Sequence, residues 1–155
     1  MTLLGNILWF ILGGWLLGLL YLFGAIIFFP LFPFLWPLVK FSFWPFGKEV
    51  VSRSDLEAYQ KAHGVDRKST QTAKNTVGLI GNILWALTFG WLLALCHLFA
   101  AILNIAFIWL IVTIPNIGGN WKLITVAFAP FNRVIVPSDL AREIKLAAAK
   151  KKIGL

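Results

Sequence analysis

Few side chains in this sequence can do chemistry, and where they stand narrows what chemistry is open. Residues 1–39 and 75–121 contain no Asp, Glu, Lys or Arg, so neither stretch offers a carboxylate for general acid–base work. The acidic residues Glu49, Asp55, Glu57, Asp66, Asp139 and Glu143 all lie outside them. Cys96 and His97 lie inside the second stretch. As neighbours on a helix they project about 100° apart, a poor geometry for a nucleophile and its base. Adding His63 still leaves the set short of a metal site, so no enzyme activity, metal or cofactor is expected. His97 reads either as a hydrogen-bonded histidine of an apolar helix or as a pore or gating residue, because ionisable groups in such helices are costly.

Lys40 and Lys122 are the next candidates. Each stands seven residues after a proline, Pro33 or Pro115. In one reading both lysines snorkel to headgroups; in the other they ring a water-filled path and favour anions. Asn104 joins them as a pore or gating candidate. Asn6 and Asn82 are expected at helix–helix contacts, as cross-helix hydrogen-bonding groups, with a helix cap or pore contact as the other roles open to them. Gly14 and Gly90 are placed with them, either as close-packing sites or as flexible joints.

These positions belong to a pattern that occurs twice. Gly5-Asn6-Ile7-Leu8-Trp9 returns unchanged as Gly81-Asn82-Ile83-Leu84-Trp85, and Gly14-Trp15-Leu16-Leu17 returns as Gly90-Trp91-Leu92-Leu93. Phe89 stands where Gly13 would be, and Tyr21 holds the place of His97. Pro45-Phe46-Gly47-Lys48 answers Pro130-Phe131-Asn132-Arg133, each leading into a β-branched stretch, and Ser54-Asp55-Leu56 answers Ser138-Asp139-Leu140. Ser54 with Glu57 has the form of a capping box for a helix running toward His63. Ser138 is the matching cap of a helix that ends in Lys150-Lys151-Lys152, cations suited to its negative end. Trp9, Trp15, Trp85 and Trp91 fit the aromatic belts of a membrane interface.

The elements that must position these residues follow from composition. Of 155 residues 59% are hydrophobic and 13% charged, about half the charge of a soluble domain, and each uncharged run far exceeds the roughly 18 residues of a transmembrane candidate. Met1-Thr2 offers no basic n-region and the first run is too long for a signal peptide, so it is expected to be retained. A single helix of the first run would reach about 58 Å, twice the hydrocarbon core. The expected fold is therefore an all-α integral membrane protein of two parallel repeats. Each repeat has a short opening helix, a spanning helix (15–32 and 91–114), a Pro/Gly breaker turn and a shorter returning helix (34–44 and 117–128). The repeats occupy 1–47 and 77–136, a cytoplasmic linker with a short helix occupies 48–76, and a basic cytoplasmic tail helix occupies 137–155.

The net charge of +8 lies almost wholly in residues 48–74 and 133–152, with six Lys or Arg in each. That distribution follows the positive-inside rule and not a nucleic-acid footprint. Both segments then face the cytoplasm and the chain crosses an even number of times. The alternative is that the short helices lie in the interface and linker and tail face opposite sides. The lone Cys96 cannot close an intramolecular disulfide.

In these landmarks the chain resembles the YccF family, a bacterial inner-membrane component domain that occurs in paired copies. The resemblance runs through the Gly-Asn-Ile-Leu-Trp stretches, Gly13-Gly14-Trp15, the Pro33 to Lys40 spacing and Pro45-Phe46-Gly47-Lys48-Glu49-Val50-Val51 with their second-copy partners. It implies an integral inner-membrane protein and brings no catalytic residues. Phe32-Pro33-Phe34 is bulkier than the family's Gly-rich Ile-Pro turn. Two functions stay open. The first is a subunit of a homo-oligomeric, anion-preferring channel, since so few short helices make a thin bundle to enclose a path alone. The alternative is a non-catalytic scaffold or regulatory subunit, whose basic 53–74 loop and 142–152 helix bind a cytoplasmic protein or anionic lipid.

Overall fold

The computed structural model describes residues 2–65 and 71–153, with only the helical course given for 71–77. The end of the basic loop, with Arg67 and Lys68, lies outside the described residues, as does the Lys74 side chain. One order of elements occurs twice. Helix α1 (Thr2–Trp9) runs through a wide π-type turn, Phe10–Gly14, into α2 (Trp15–Ile27); a 3₁₀ turn, Phe29–Leu31, leads to α3 (Phe32–Phe43), strand β1 (Lys48–Ser52) and helix α4 (Arg53–Ala62). Helix α5 (Gln71–Trp85), a second wide turn, Ala86–Gly90, helix α6 (Trp91–Ala106), a 3₁₀ turn at Ile111–Thr113, α7 (Ile114–Phe128), β2 (Arg133–Pro137) and α8 (Ser138–Lys152) repeat that sequence of forms. The protein is thus helical, with one small sheet that the all-α expectation did not include.

Two helical stretches, Thr2–Ile27, which kinks at Leu12 and Gly13, and Gly78–Ala106, are long and apolar enough to cross a membrane. Their 26 and 29 residues amount to about 39 and 43 Å of helix, the first shortened end to end by its kink, against a core of roughly 30 Å. The opening and spanning segments are therefore joined end to end through the wide turns. Gly13, at φ +113°, is the joint of the first turn, a conformation open to glycine and costly for other residues. Phe89 in the second copy has no left-handed backbone; its ring instead fills the space beside Gly24 of the other hairpin, where a Cβ would collide with it.

The breaker turns sit earlier than the prolines suggested. Helices α2 and α6 end at Ile27 and Ala106, not at 32 and 114, and the returning helices start at Phe32 and Ile114, not at 34 and 117. The reason is that Pro33 and Pro115 occupy first-turn positions of α3 and α7, where a missing N–H removes no helix bond. They open the returning helices; they do not end the spanning ones. Gly118 and Gly119 lie inside α7, and the absent Cβ of Gly119 makes room for the Trp9 ring.

Strands β1 and β2 pair antiparallel with Val50 opposite Ile135. Each is entered through a left-handed residue, Gly47 at φ +83° and Asn132 at φ +66°, the two residue types that tolerate it best. Reciprocal bonds lock the ends: Arg53 N–H to Asn132 O at 2.9 Å and Ser138 N–H to Gly47 O at 3.1 Å. Helices α4 and α8 pack on this sheet through Val51, Val136, Ala141 and Ile144, with Leu56, Tyr59 and Leu140 around them. Linker and tail thus form one α/β cap. Its second half begins at Arg133, so a domain boundary at 136 cuts through β2, and α5 begins at Gln71, inside the expected linker. The caps also differ from expectation. Ser52, not Ser54, accepts the Asp55 N–H at 3.0 Å, and α8 starts after Pro137 with Ser138 already its first residue and no side-chain cap. Strand pairing holds the chain extended up to Ser52 and Pro137, which fixes both helix starts.

Candidate functional site

The twice-occurring pentapeptide is a clamp. Asn6 is buried and donates from Nδ2 to Phe46 O at 3.1 Å, while Phe46 N–H donates to Asn6 Oδ1 at 2.9 Å. Asn82 makes the same pair with Phe131, both bonds at 2.9 Å. One turn on, Trp9 Nε1 donates to Ser42 O and Trp85 Nε1 to Ala127 O, each at 2.8 Å. These acceptors are carbonyls at the frayed end of a returning helix, where four backbone oxygens lack helical partners. Glycines admit the rings: a Cβ at Gly81 would press on Phe131, and one at Gly14 or Gly90 would overlap the Trp9 or Trp85 indole. Gly14 and Gly90 are thus packing sites and Gly13 is the joint. Trp9 and Trp85 are core residues and not interface anchors, whereas Trp15 and Trp91 are exposed.

Between the two hairpins lies a buried polar chain. His97, on α6 and wholly buried, faces Asn120 Oδ1 through Nδ1 at 2.8 Å and the Tyr21 hydroxyl through Nε2 at 3.1 Å. Asn120 donates to Asn116 O at 2.9 Å, the Tyr21 hydroxyl reaches Leu123 O at 3.5 Å, and the Trp9 ring stacks near-parallel to His97 at 6.4 Å. Tyr21 and His97 each stand sixteen residues after the first glycine of a Gly-Asn-Ile-Leu-Trp stretch, and they touch. Sequence reading isolated His97 but missed Tyr21, Asn116 and Asn120 as its company. The signal was the correspondence of Tyr21 with His97, which looked like a lost residue and is a partner.

The remaining candidates do not join that chain. Asn104 Nδ2 is taken by Ala100 O of its own helix at 2.7 Å. Lys40 is exposed in the last turn of α3, its Nζ 5.9 Å from the Trp36 ring centre. Lys122 is half-buried and bound to Glu49 Oε1 at 2.7 Å. The two lysines therefore have different surroundings, and Lys122 shares the one charge of Glu49 with a second lysine. Glu49, absent from the sequence-based candidates, also takes Lys145 of α8 on its other oxygen at 3.1 Å, so one carboxylate ties α7 to the cap.

Burial alone would raise the Glu49 carboxyl, but the hydrogen bonds and charges of Lys122 and Lys145 outweigh it and hold it below the usual carboxylate range. A group depressed on folding stabilises above its unfolded value, about 4.3 for Glu, and loses that contribution as pH falls through the folded value. The Tm gap between wild type and Glu49→Gln in detergent is expected to be widest at neutral pH and to close below about pH 4. A gap independent of pH would show that the bridges carry no stability.

The family model described as YccF, inner membrane component domain, matches residues 80–133. The chain is 31% identical over 153 residues to the inner membrane protein YccF of Escherichia coli K12, covering 95% of both chains. The protein of that name from Shigella flexneri matches to the same extent. No solved structure matches. Near-complete coverage at this identity, on a chain with two membrane-length helices, shows that it belongs to the YccF family of inner membrane proteins.

Proposed function

We propose that this chain is a non-catalytic inner-membrane scaffold, in which two parallel copies of one hairpin, related by a two-fold axis, carry a single α/β cap on the cytoplasmic side. The observation that carries the proposal is the hydrogen bond between Tyr21 and His97. Residues that hold the same place in two copies and touch each other must lie beside the axis relating those copies. Val50 opposite Ile135 obeys the same rule in the cap. That axis is occupied by packed side chains, with Trp9, Tyr21, Leu93, His97 and Leu123 all buried, which favours a solid support over a conduit through one chain. Six Lys or Arg in each half of the cap and its connections favour the cytoplasmic orientation.

A second reading, a homo-oligomeric channel with its path between copies, draws on Lys40, which is exposed and has no ion-pair partner among the described residues. Chloride and potassium flux through proteoliposomes of the purified protein separates the two. The scaffold gives no flux above protein-free vesicles. An anion-selective flux that Lys40→Glu reverses while Lys122→Gln leaves it intact would overturn the scaffold in favour of the channel.

A further inference from the structure

We infer that Lys40, between Trp36 and Trp44 on the outer side of α3, holds the headgroup phosphate of an anionic phospholipid. Helix α3 packs along α2, the second half of a stretch long and apolar enough to cross a membrane. The Phe43 ring fills the space at Gly18 of α2, where a Cβ would collide with it. The inner side of α3 is spent on this packing, with Leu35, Leu38 and Val39 buried. Pro33, Trp36, Pro37 and Lys40 fall on the opposite stripe, with Trp44 one turn on at the helix exit, and all five are exposed. In a chain of an inner-membrane family, an apolar stripe on the flank of such a helix pair faces lipid.

The lysine identifies the occupant. No charged side chain precedes it in the sequence, and it stands three residues before the end of α3 at Phe43, about 4.5 Å along the helix. Lys48 and Glu49 of the cap follow directly. Lys40 is therefore the first charge at the edge of an apolar layer, the level at which tryptophan and lysine side chains meet headgroups. Trp36 lies one turn inward, its ring centre 5.9 Å from Nζ. An ammonium at that level needs an anion. Lys122, at the matching distance from its proline, has Glu49 at 2.7 Å. The residue that answers Glu49 after the second Pro-Phe pair is Val134, so the cap offers Lys40 no carboxylate, and Lys40 has no ion-pair partner among the described residues. The matching charge comes from outside the chain, and the anion at hand at the edge of an apolar layer is a lipid phosphate. One unpaired lysine there favours an anionic over a zwitterionic headgroup by about fivefold.

The test is native mass spectrometry of the full chain, released from detergent after titration with phosphatidylglycerol or phosphatidylcholine. Retention of phosphatidylglycerol is expected to exceed that of phosphatidylcholine about fivefold. Lys40→Gln removes that preference. Lys40→Arg, which keeps the charge, leaves it, and so does Lys61→Gln, which removes an exposed lysine of α4 in the cap. Equal retention of the two lipids by the wild type would overturn the proposal, as would an equal loss in Lys61→Gln, which would reduce the effect to net charge. Displacement of the lipid by inorganic phosphate would overturn it in favour of a soluble anion, and a dimer that dissociates in Lys40→Gln would overturn it in favour of a second copy of the chain. Retention is measured without flux, so the result does not depend on the choice between scaffold and channel.

Discussion

Asn6→Ala is expected to destabilise the folded chain by about 2–4 kcal/mol in a reversible detergent unfolding titration, because it leaves two backbone groups of Phe46 without partners at once. The amide supplies both donor and acceptor to one residue, and few side chains besides Asn can do so at that reach. Asn82→Ala breaks the same pair at Phe131 and should fall in the same range. Asn6→Asp keeps the acceptor for the Phe46 N–H but sets an anionic oxygen against the Phe46 carbonyl in a buried site, so at neutral pH it should be at least as destabilising as alanine. The Phe46 carbonyl is at the turn into the cap, and the loss is expected to loosen that turn first, as faster amide exchange at Gly47 and Lys48. A loss under about 1 kcal/mol would mean that water replaces the amide freely and that the clamp does not hold the hairpin closed.

That clamp shows how far the sequence could be read. The return of Gly-Asn-Ile-Leu-Trp marked it as a structural unit, and a contact role for Asn6 and Asn82 followed from their type. Their acceptors are backbone carbonyls of Phe46 and Phe131, some forty and fifty positions away, and no side-chain pattern encodes a bond to a carbonyl. The helical membrane architecture was legible because uncharged runs of such length have few other folds. The exact ends of the helices were not: proline is read as a stop, yet at a first-turn position it is a start, and only the backbone shows which applies at Pro33 and Pro115. The sheet was half visible. Val50-Val51 and Val134-Ile135-Val136 stood out as β-branched, but pairing two strands separated by a whole helical hairpin depends on where the hairpin returns its ends. Glu49 was passed over for a similar reason, since its partners Lys122 and Lys145 lie far along the chain on two different helices.

His97→Leu is the second large effect, an expected loss of about 3 kcal/mol, and it tests the interface between the hairpins where the clamps test each hairpin alone. Leucine fills much of the same volume, so the loss reports polar groups and not a cavity: Asn120 Oδ1 and the Tyr21 hydroxyl both lose their imidazole partner in a fully packed interior. Tyr21→Phe removes one bond and should cost about 1 kcal/mol. If the two side chains act as one contact, the double variant loses less than the sum, by about 0.5–1 kcal/mol in a mutant cycle. His97→Gln, which can both donate and accept, should recover part of the loss. The readout that separates this from generic destabilisation is where the chain opens. Weakening a pair that joins α2 to α6 should increase cross-hairpin opening, measured as the reactivity of the native Cys96, half-buried against the same core cluster, while the clamp at Phe46 keeps its slow amide exchange. If both regions loosen together, the two hairpins unfold as a single unit and His97 is one core residue among many. If only the interface loosens, the hairpins are separate stable units held face to face by a small polar contact. That outcome would assign the union of the hairpins to the polar pair over the rings that also cross between them, Trp9 in the space at Gly119 and Phe89 beside Gly24.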